Sequence, residues 1–170
     1  MERLRRLLEW DEALLVAVSR RQRPLATKAL RAITHLGDGA SLTFLGLVLL
    51  LAGATNLSWR LGLATGAATV VSQLLKRVLK RRRPNVGISG FNALVQNPDA
   101  FSFPSGHTAA AVALAVAWAG EGSGLGLFAS AFAALIACSR VYLGAHYPLD
   151  VMAGATIGIV TGACARIPFA

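Results

Sequence analysis

Residues 124–166 read GLGLFASAFAALIACSRVYLGAHYPLDVMAGATIGIVTGACAR. This stretch holds two apolar segments, residues 124–141 and 150–166, and each is near the length that a helix needs to span the hydrocarbon core of a bilayer. The short connection between them carries His146, and Arg140 and Asp150 lie at the adjoining ends of the two segments. The pattern predicts two antiparallel membrane helices that present these polar side chains at one membrane face.

Three further apolar segments precede this pair, at about residues 39–58, 60–76 and 104–120. The breaks at residues 56–58 and 120–124 are interpreted as tight turns, which make the neighbouring helices antiparallel. Small residues are frequent in these segments and permit close helix packing in lipid. The sequence therefore predicts an all-α, multi-pass transmembrane helix bundle of five to six helices.

The composition supports a membrane protein, since 55% of the residues are hydrophobic, only 15% are charged and the mean hydropathy is +0.56. The net charge of +9 would also suit a nucleic-acid-binding protein. The basic residues flank apolar segments, however, and are not interleaved with exposed aromatic residues. The bilayer is thus the expected partner and nucleic acid is not, and nothing in the sequence indicates an oligomeric state.

Residues 1–35 differ from the rest of the chain, because leucines alternate with arginines and acidic residues there. This region is predicted to be an amphipathic interfacial segment or a first helix, and residues 36–170 the membrane domain. A long polar connection at residues 80–103, rich in Pro, Gly and Asn, is predicted to be a functional loop. The Gly37-Asp38-Gly39 turn is interpreted as a loop that begins a helix.

Three clusters of polar residues lie at segment ends that alternating helices place on one membrane face. Their residue types suit a phosphate group: fixed cations, a helix N-terminus, two histidines and a carboxylate. The clusters are KRVLKRRRP from Lys76, PSGH from Pro104 and SRVYLGAHYPLD from Ser139.

These clusters resemble the three-part signature of the type 2 phosphatidic acid phosphatase family, Lys-x6-Arg-Pro, Pro-Ser-Gly-His and Ser-Arg-x5-His-x3-Asp. Every signature position matches in order, and the resemblance covers about residues 35–165. It implies an integral membrane lipid phosphatase that forms a phosphohistidine and uses no cofactor or metal ion.

The resemblance also implies a role for each site residue. His146 is the nucleophile, Asp150 accepts the other ring N–H of His146, and their spacing suits one helical turn. His107 protonates the leaving oxygen and later activates water. The side chains of Lys76, Arg83 and Arg140 bind the phosphate oxygens, with the backbone N–H groups of Ser105 and Gly106 in support.

Other classes of protein fit the sequence less well. The eight carboxylates lack the spacing of a two-metal phosphatase. Vanadate-dependent haloperoxidases use a related site but are larger and soluble. A non-catalytic membrane protein that binds anionic headgroups through the same cations stays open as an alternative.

Substrate and orientation are the remaining expectations. Substrate candidates are phosphatidylglycerophosphate, phosphatidic acid, a polyprenyl (pyro)phosphate and a prenyl-linked sugar phosphate. Of the 17 Lys and Arg residues, three belong to the candidate site, and only Arg60 and Arg166 fall on the opposite face, which leaves 12 on the site face. The positive-inside rule then places the site on the cytoplasmic side of the cell membrane.

Overall fold

The computed structural model describes residues 2–96, 99–119 and 124–169. Within them the chain forms α1 (Glu2–Ser19), α2 (Pro24–His35), α3 (Gly39–Leu51), α4 (Thr55–Leu79), α5 (Pro84–Gly87), α6 (Gly106–Trp118), α7 (Leu125–Tyr142), α8 (Pro148–Cys164) and the 3₁₀ turn Ile167–Phe169. The predicted all-α fold is confirmed. More helices form than the predicted five to six, because the N-terminal region makes two of them and α5 is a single turn.

The five apolar segments correspond to α3, α4, α6, α7 and α8, with one boundary displaced. Helix α3 ends before Gly53, whose φ of +82° suits glycine, and α4 begins at Thr55. The turn predicted at residues 56–58 is therefore wrong, because those residues already belong to α4. Most of the turn predicted at residues 120–124 lies outside the described residues.

Helix α6 lies at the centre of the bundle and packs against α4, α7 and α8. Three glycines of α8, spaced four residues apart, face the backbone of α6. A Cβ atom would lie 2.5 Å from the Ser105 carbonyl oxygen at Gly154, 2.5 Å from that of Ala109 at Gly158, and 2.6 Å from that of Ala113 at Gly162. The expected close packing of small residues is thus confirmed at this interface.

Length and hydropathy identify one membrane span among the described residues, or two if a bent helix pair forms a single span. Among the described residues, Leu125–Tyr142 satisfies both criteria alone, and α2 and α3 satisfy them together but are bent by 56°. Helices α6 and α8 are apolar but shorter. Helix α4 has 25 residues, about 37 Å of length, which exceeds the hydrocarbon thickness of about 30 Å.

The two N-terminal helices pack on the end of the bundle where α7 finishes and α8 starts. Helix α2 contacts α7, and α1 contacts both α7 and α8. The Gln22 side chain donates to the Tyr142 carbonyl at 2.6 Å, and Arg31 donates to the Leu94 carbonyl at 2.7 Å. Residues 2–35 therefore lie against the end of the bundle that carries the predicted site.

Candidate active site

The ends of four helices bring the predicted site residues together. Lys76 lies in the last turn of α4 and Arg140 in the last turn of α7. His107 lies in the first turn of α6, and His146 immediately precedes the residues that begin α8. These four line one cavity of about 150 Å³ together with Arg83 and Gly106. Since one water occupies about 30 Å³ of the liquid, a phosphoryl group fits the cavity.

The three predicted phosphate-binding cations are almost fully buried. The exposed fractions are 5% for Lys76, 5% for Arg83 and 3% for Arg140. The Asp99 carboxylate contacts two of them, at 2.5 Å from Lys76 Nζ and through a short ion pair with Arg83. Burial alone would raise the pKa of Asp99, but the hydrogen bonds and charges of its two partners outweigh burial and hold the pKa below its usual value. Arg140 Nη1 donates to Thr34 Oγ1 at 2.9 Å.

His146 is 1% exposed, and its surroundings fix its tautomer. Its Nδ1 lies 2.7 Å from the Ser102 carbonyl oxygen. Because a carbonyl only accepts, Nδ1 carries the proton and Nε2 carries the lone pair. Arg83 Nη1 lies 3.4 Å from Nε2. Burial, together with Arg140 and Arg83, lowers the pKa of His146 to about 4 despite the opposing effect of Asp150, so the imidazole is neutral at pH 7.

Asp150 lies near His146, but the structure corrects two expectations about this pair. Helix α8 begins at Pro148, so the two residues do not share a helical turn; proline suits the first helical position. The Asp150 Oδ2 atom accepts the Tyr147 N–H at 2.9 Å and lies 3.6 Å from His146 Nδ1, beyond hydrogen-bond distance. The direct acceptor of the Nδ1 proton is instead the Ser102 carbonyl, and Asp150 acts on the imidazole through its charge.

Ser105 is the exception among the predicted phosphate ligands. Its backbone N–H donates to the Asp150 carbonyl at 2.9 Å, and its hydroxyl lies 2.9 Å from that of Thr108. This geometry contradicts the prediction that the Ser105 N–H binds phosphate, because the group is already bonded. Of the two residues that open α6, only Gly106 lines the cavity.

His107 is held by an acidic residue from the connection between α2 and α3. Its Nε2 lies 2.5 Å from Asp38 Oδ1, and the second oxygen of Asp38 lies 3.0 Å from His35 Nδ1. Asp38 does precede the first residue of α3, as the sequence indicated. Its contact with His107, 69 residues away, was not predicted, because no local pattern reports it.

Two apolar grooves flank α3 beside this cavity. One, of about 520 Å³, lies between α3 and the α6–α7 pair. The other, of about 630 Å³, lies between α3 and α4 and is lined by Gly39 and Thr69, which also line the phosphate-sized cavity. The polar cavity and the α3–α4 groove therefore adjoin, and no residue of α3 is fully buried.

Within the described ranges, no group of three or more His, Cys, Asp and Glu side chains is arranged to hold a metal ion. The charged and titratable side chains that line the cavity are three cations, two imidazoles and the Asp99 carboxylate. Such a donor set suits an anion better than a divalent cation. The cavity thus combines buried cations with the imidazole of His146, whose pKa is lowered by burial.

Comparison with known proteins gives similarities along most of the chain. The sequence profile of the PAP2 superfamily matches residues 57–169. Decaprenylphosphoryl-5-phosphoribose phosphatase of Mycobacterium tuberculosis is 34% identical over an alignment of 163 residues that covers 90% of this chain and 87% of that protein.

Two solved structures are similar in fold. The crystal structure of Aquifex aeolicus LpxE is matched with a TM-score of 0.82 and 31% identity, over 91% of this chain and 93% of that one. The transmembrane PAP2 type phosphatidylglycerolphosphate phosphatase of Bacillus subtilis is matched with a TM-score of 0.78 and 26% identity, over 96% and 86% of the two chains. The all-α bundle is accordingly a transmembrane fold, and the chain belongs to the PAP2 superfamily.

Proposed function

We propose that this protein is a membrane lipid phosphatase that hydrolyses a lipid phosphomonoester or pyrophosphate through a phosphohistidine at His146. The observation that carries the proposal is the geometry of His146, whose Nδ1 lies 2.7 Å from the Ser102 carbonyl oxygen and whose Nε2 lies 3.4 Å from Nη1 of the buried Arg83. Phosphatase activity is further supported by the relatives, which include phosphatases of a prenyl-linked sugar phosphate and of phosphatidylglycerophosphate.

In the first step, His146 Nε2 attacks phosphorus while the bond from phosphorus to the lipid oxygen breaks. His107 acts in its doubly protonated form, with its Nε2–H on Asp38, and donates its other ring proton to that oxygen as it leaves. Lys76, Arg83 and Arg140 balance the charge on the three equatorial oxygens, and their burial strengthens this interaction. The attacking imidazole becomes positively charged, and the nearby Asp150 carboxylate stabilises that charge.

In the second step, water attacks the phosphoenzyme. His107, now deprotonated, accepts a proton from this water, and the bond between phosphorus and Nε2 breaks to release inorganic phosphate. Asp38 holds the His107 ring through both steps. The residues of the chain thereby return to their starting protonation states.

A lipid substrate is supported by the α3–α4 groove, whose apolar lining adjoins the phosphate-sized cavity. A phosphate in the cavity would leave the attached chain beside this groove, within the depth of the bilayer. Among the candidate lipids, phosphatidylglycerophosphate and a prenyl-linked sugar phosphate have direct support from the named relatives.

The test is phosphate release from a panel of lipid phosphates by purified protein in detergent with EDTA. We expect turnover to persist under chelation and vanadate to inhibit, because vanadate mimics five-coordinate phosphorus. Loss of activity in EDTA that magnesium restores would contradict the mechanism.

His146→Ala should reduce turnover by at least about 10⁴-fold and abolish labelling by radioactive lipid phosphate, with Asn92→Ala in the exposed loop as the control. His107→Ala should still form the phosphoenzyme from a substrate with a good leaving group and hydrolyse it slowly. A protein that binds headgroups without catalysis would show no turnover in any of these assays.

A further inference from the structure

A charged bridge outside the phosphate cavity links the N-terminal helix to Asp150. Arg81 donates to Asp150 Oδ1 at 2.7 Å and to Asp11 Oδ2 at 2.6 Å. Both carboxylates are fully buried, and the Arg81 guanidinium lies 4.0 Å from the centre of the Tyr147 ring. Arg81 falls among the variable positions of the KRVLKRRRP cluster, and Asp11 lies in the region predicted to be an amphipathic interfacial segment or a first helix.

This bridge restricts the Asp150 carboxylate. One oxygen accepts from Arg81 and the other from the Tyr147 N–H, so rotation of the carboxylate towards or away from His146 would break at least one of these bonds. The free oxygen of Asp11 accepts the Leu149 N–H at 2.8 Å and satisfies a further amide in the first turn of α8. Helix α1 and Arg81 together fix the helix start that directly follows the nucleophile.

The bridge also sets the charge near His146. Asp11, Arg81 and Asp150 carry a net charge of −1, whereas Arg81 and Asp150 without Asp11 would carry none. Attack on phosphorus places a positive charge on the His146 ring, and a net negative cluster favours that charge. Asp11 therefore preserves the electrostatic effect of Asp150 while Arg81 keeps it oriented.

We propose that Arg81 and Asp11 are positioning residues for the nucleophile and act on His146 through Asp150. The proposal rests on the proposed function for its kinetic consequence, because the effect of the bridge on rate presupposes attack by His146. Its electrostatic consequence can be measured without turnover. Helix α1, which carries Asp11, thereby helps to position the catalytic His146.

The variants are Asp11→Asn, which keeps an acceptor for the Leu149 N–H but removes a charge, and Arg81→Gln. Matched controls are the neighbouring exposed residues, Glu12→Gln and Arg82→Gln. With a lipid phosphate as substrate, we expect each test variant to reduce kcat about 10- to 100-fold, with KM changed less than about twofold. The double variant should lose less than the product of the two single losses.

A second readout follows the His146 imidazole by nitrogen NMR, which is practical because the chain has only three histidines. The charged groups that face this ring are Asp150 of α8, Arg140 of α7 and Arg83. Asp11→Asn removes a negative charge and should lower the pKa of His146, whereas Arg81→Gln removes a positive charge and should raise that pKa. General loss of structure would not produce opposite shifts.

Shifts of one sign in both variants, or none, would overturn the proposal, as would kcat values equal to those of the controls or an effect on KM alone. The two readouts separate this proposal from the proposed function. If the unaltered protein releases no phosphate from any lipid while the opposite pKa shifts appear, the function is wrong and the link to His146 stands. If the unaltered protein hydrolyses lipid phosphate normally and the pKa shifts are absent, the proposed function stands and the link between the bridge and His146 is wrong.

Discussion

The Asp99 carboxylate occupies donors that the proposed mechanism assigns to phosphate. It bonds both Lys76 and Arg83, and the Arg83 Nε atom also donates to its backbone carbonyl at 2.8 Å. A substrate phosphate must compete for these two side chains or share them with Asp99. The strength of substrate binding should therefore depend on the charge at this position.

We expect Asp99→Asn to lower KM for a lipid phosphate about 3- to 10-fold and to strengthen inhibition by vanadate to a similar degree. The amide keeps the size and one acceptor but loses the charge that competes with phosphate. Steady-state kinetics and vanadate titration measure both effects, with Glu9→Gln on the exposed face of α1 as the charge-matched control. Weaker binding in the variant would mean that Asp99 orients the two cations for phosphate instead.

The sequence located the cavity residues because helix ends and residue types together limit where they can lie. The predicted helices alternate in direction across the membrane. The helix ends next to Lys76, Arg140 and His146 are therefore expected on the same membrane face. The hydrogen-bond partners of the two histidines could not be predicted in this way. Asp38 contacts His107 from 69 residues away, and Ser102 contacts His146 from 44 residues away. Such contacts depend on how the loops between helices fold, and the hydrophobic periodicity of a sequence gives no information about loop conformation.

Helix α3 is the least enclosed of the apolar helices, and this follows from its packing. Its main contacts are with α4, and grooves lie on both of its sides. In the α3–α4 groove, Gly62 and Gly66 of α4 have open space where a side chain would begin. The sequence predicted α3 as one more bundle helix, since hydropathy shows that a segment is apolar but not which neighbour covers it.

A large side chain at Gly66 should obstruct this groove. We expect Gly66→Leu to raise KM about tenfold for a long-chain lipid phosphate and to leave turnover of a water-soluble aryl phosphate within about twofold. Gly66 lines the groove, and a Cβ atom there meets no atom within 4 Å, so a side chain can begin at this position without displacing backbone. Gly66→Ala is the matched control, since one methyl group fills little of the groove. Equal losses with both substrates would show that the groove does not hold the lipid chain.

Helices α1 and α2 bear on the orientation of the molecule in the membrane. Their contacts reach Leu149, Tyr142, Leu94 and Arg140, all at the end of the bundle that holds the site. From these contacts we propose five crossings that begin near residue 39, which would leave the arginines of residues 2–35 on the site face. The amphipathic sequence of residues 1–35 fits both five crossings and a sixth one, so the count of five stays a prediction.

The charge distribution then predicts a cytoplasmic site, since 12 Lys and Arg residues outside the site lie on the site face and two on the other. This orientation favours substrates made at the inner leaflet, such as phosphatidylglycerophosphate or a prenyl-linked sugar phosphate, over pyrophosphates recycled outside. Single cysteines test it in a variant that lacks the two exposed cysteines, Cys138 and Cys164.

Asn92→Cys lies in the exposed loop on the site face, and Asn56→Cys lies at the start of α4, on the opposite face. In intact cells a membrane-impermeant thiol reagent should label Asn56→Cys and should label Asn92→Cys only after permeabilisation. Because each variant serves as the accessibility control for the other, a poorly reactive cysteine cannot imitate the expected result. The reverse pattern would place the site outside and make the exported pyrophosphates the favoured substrates.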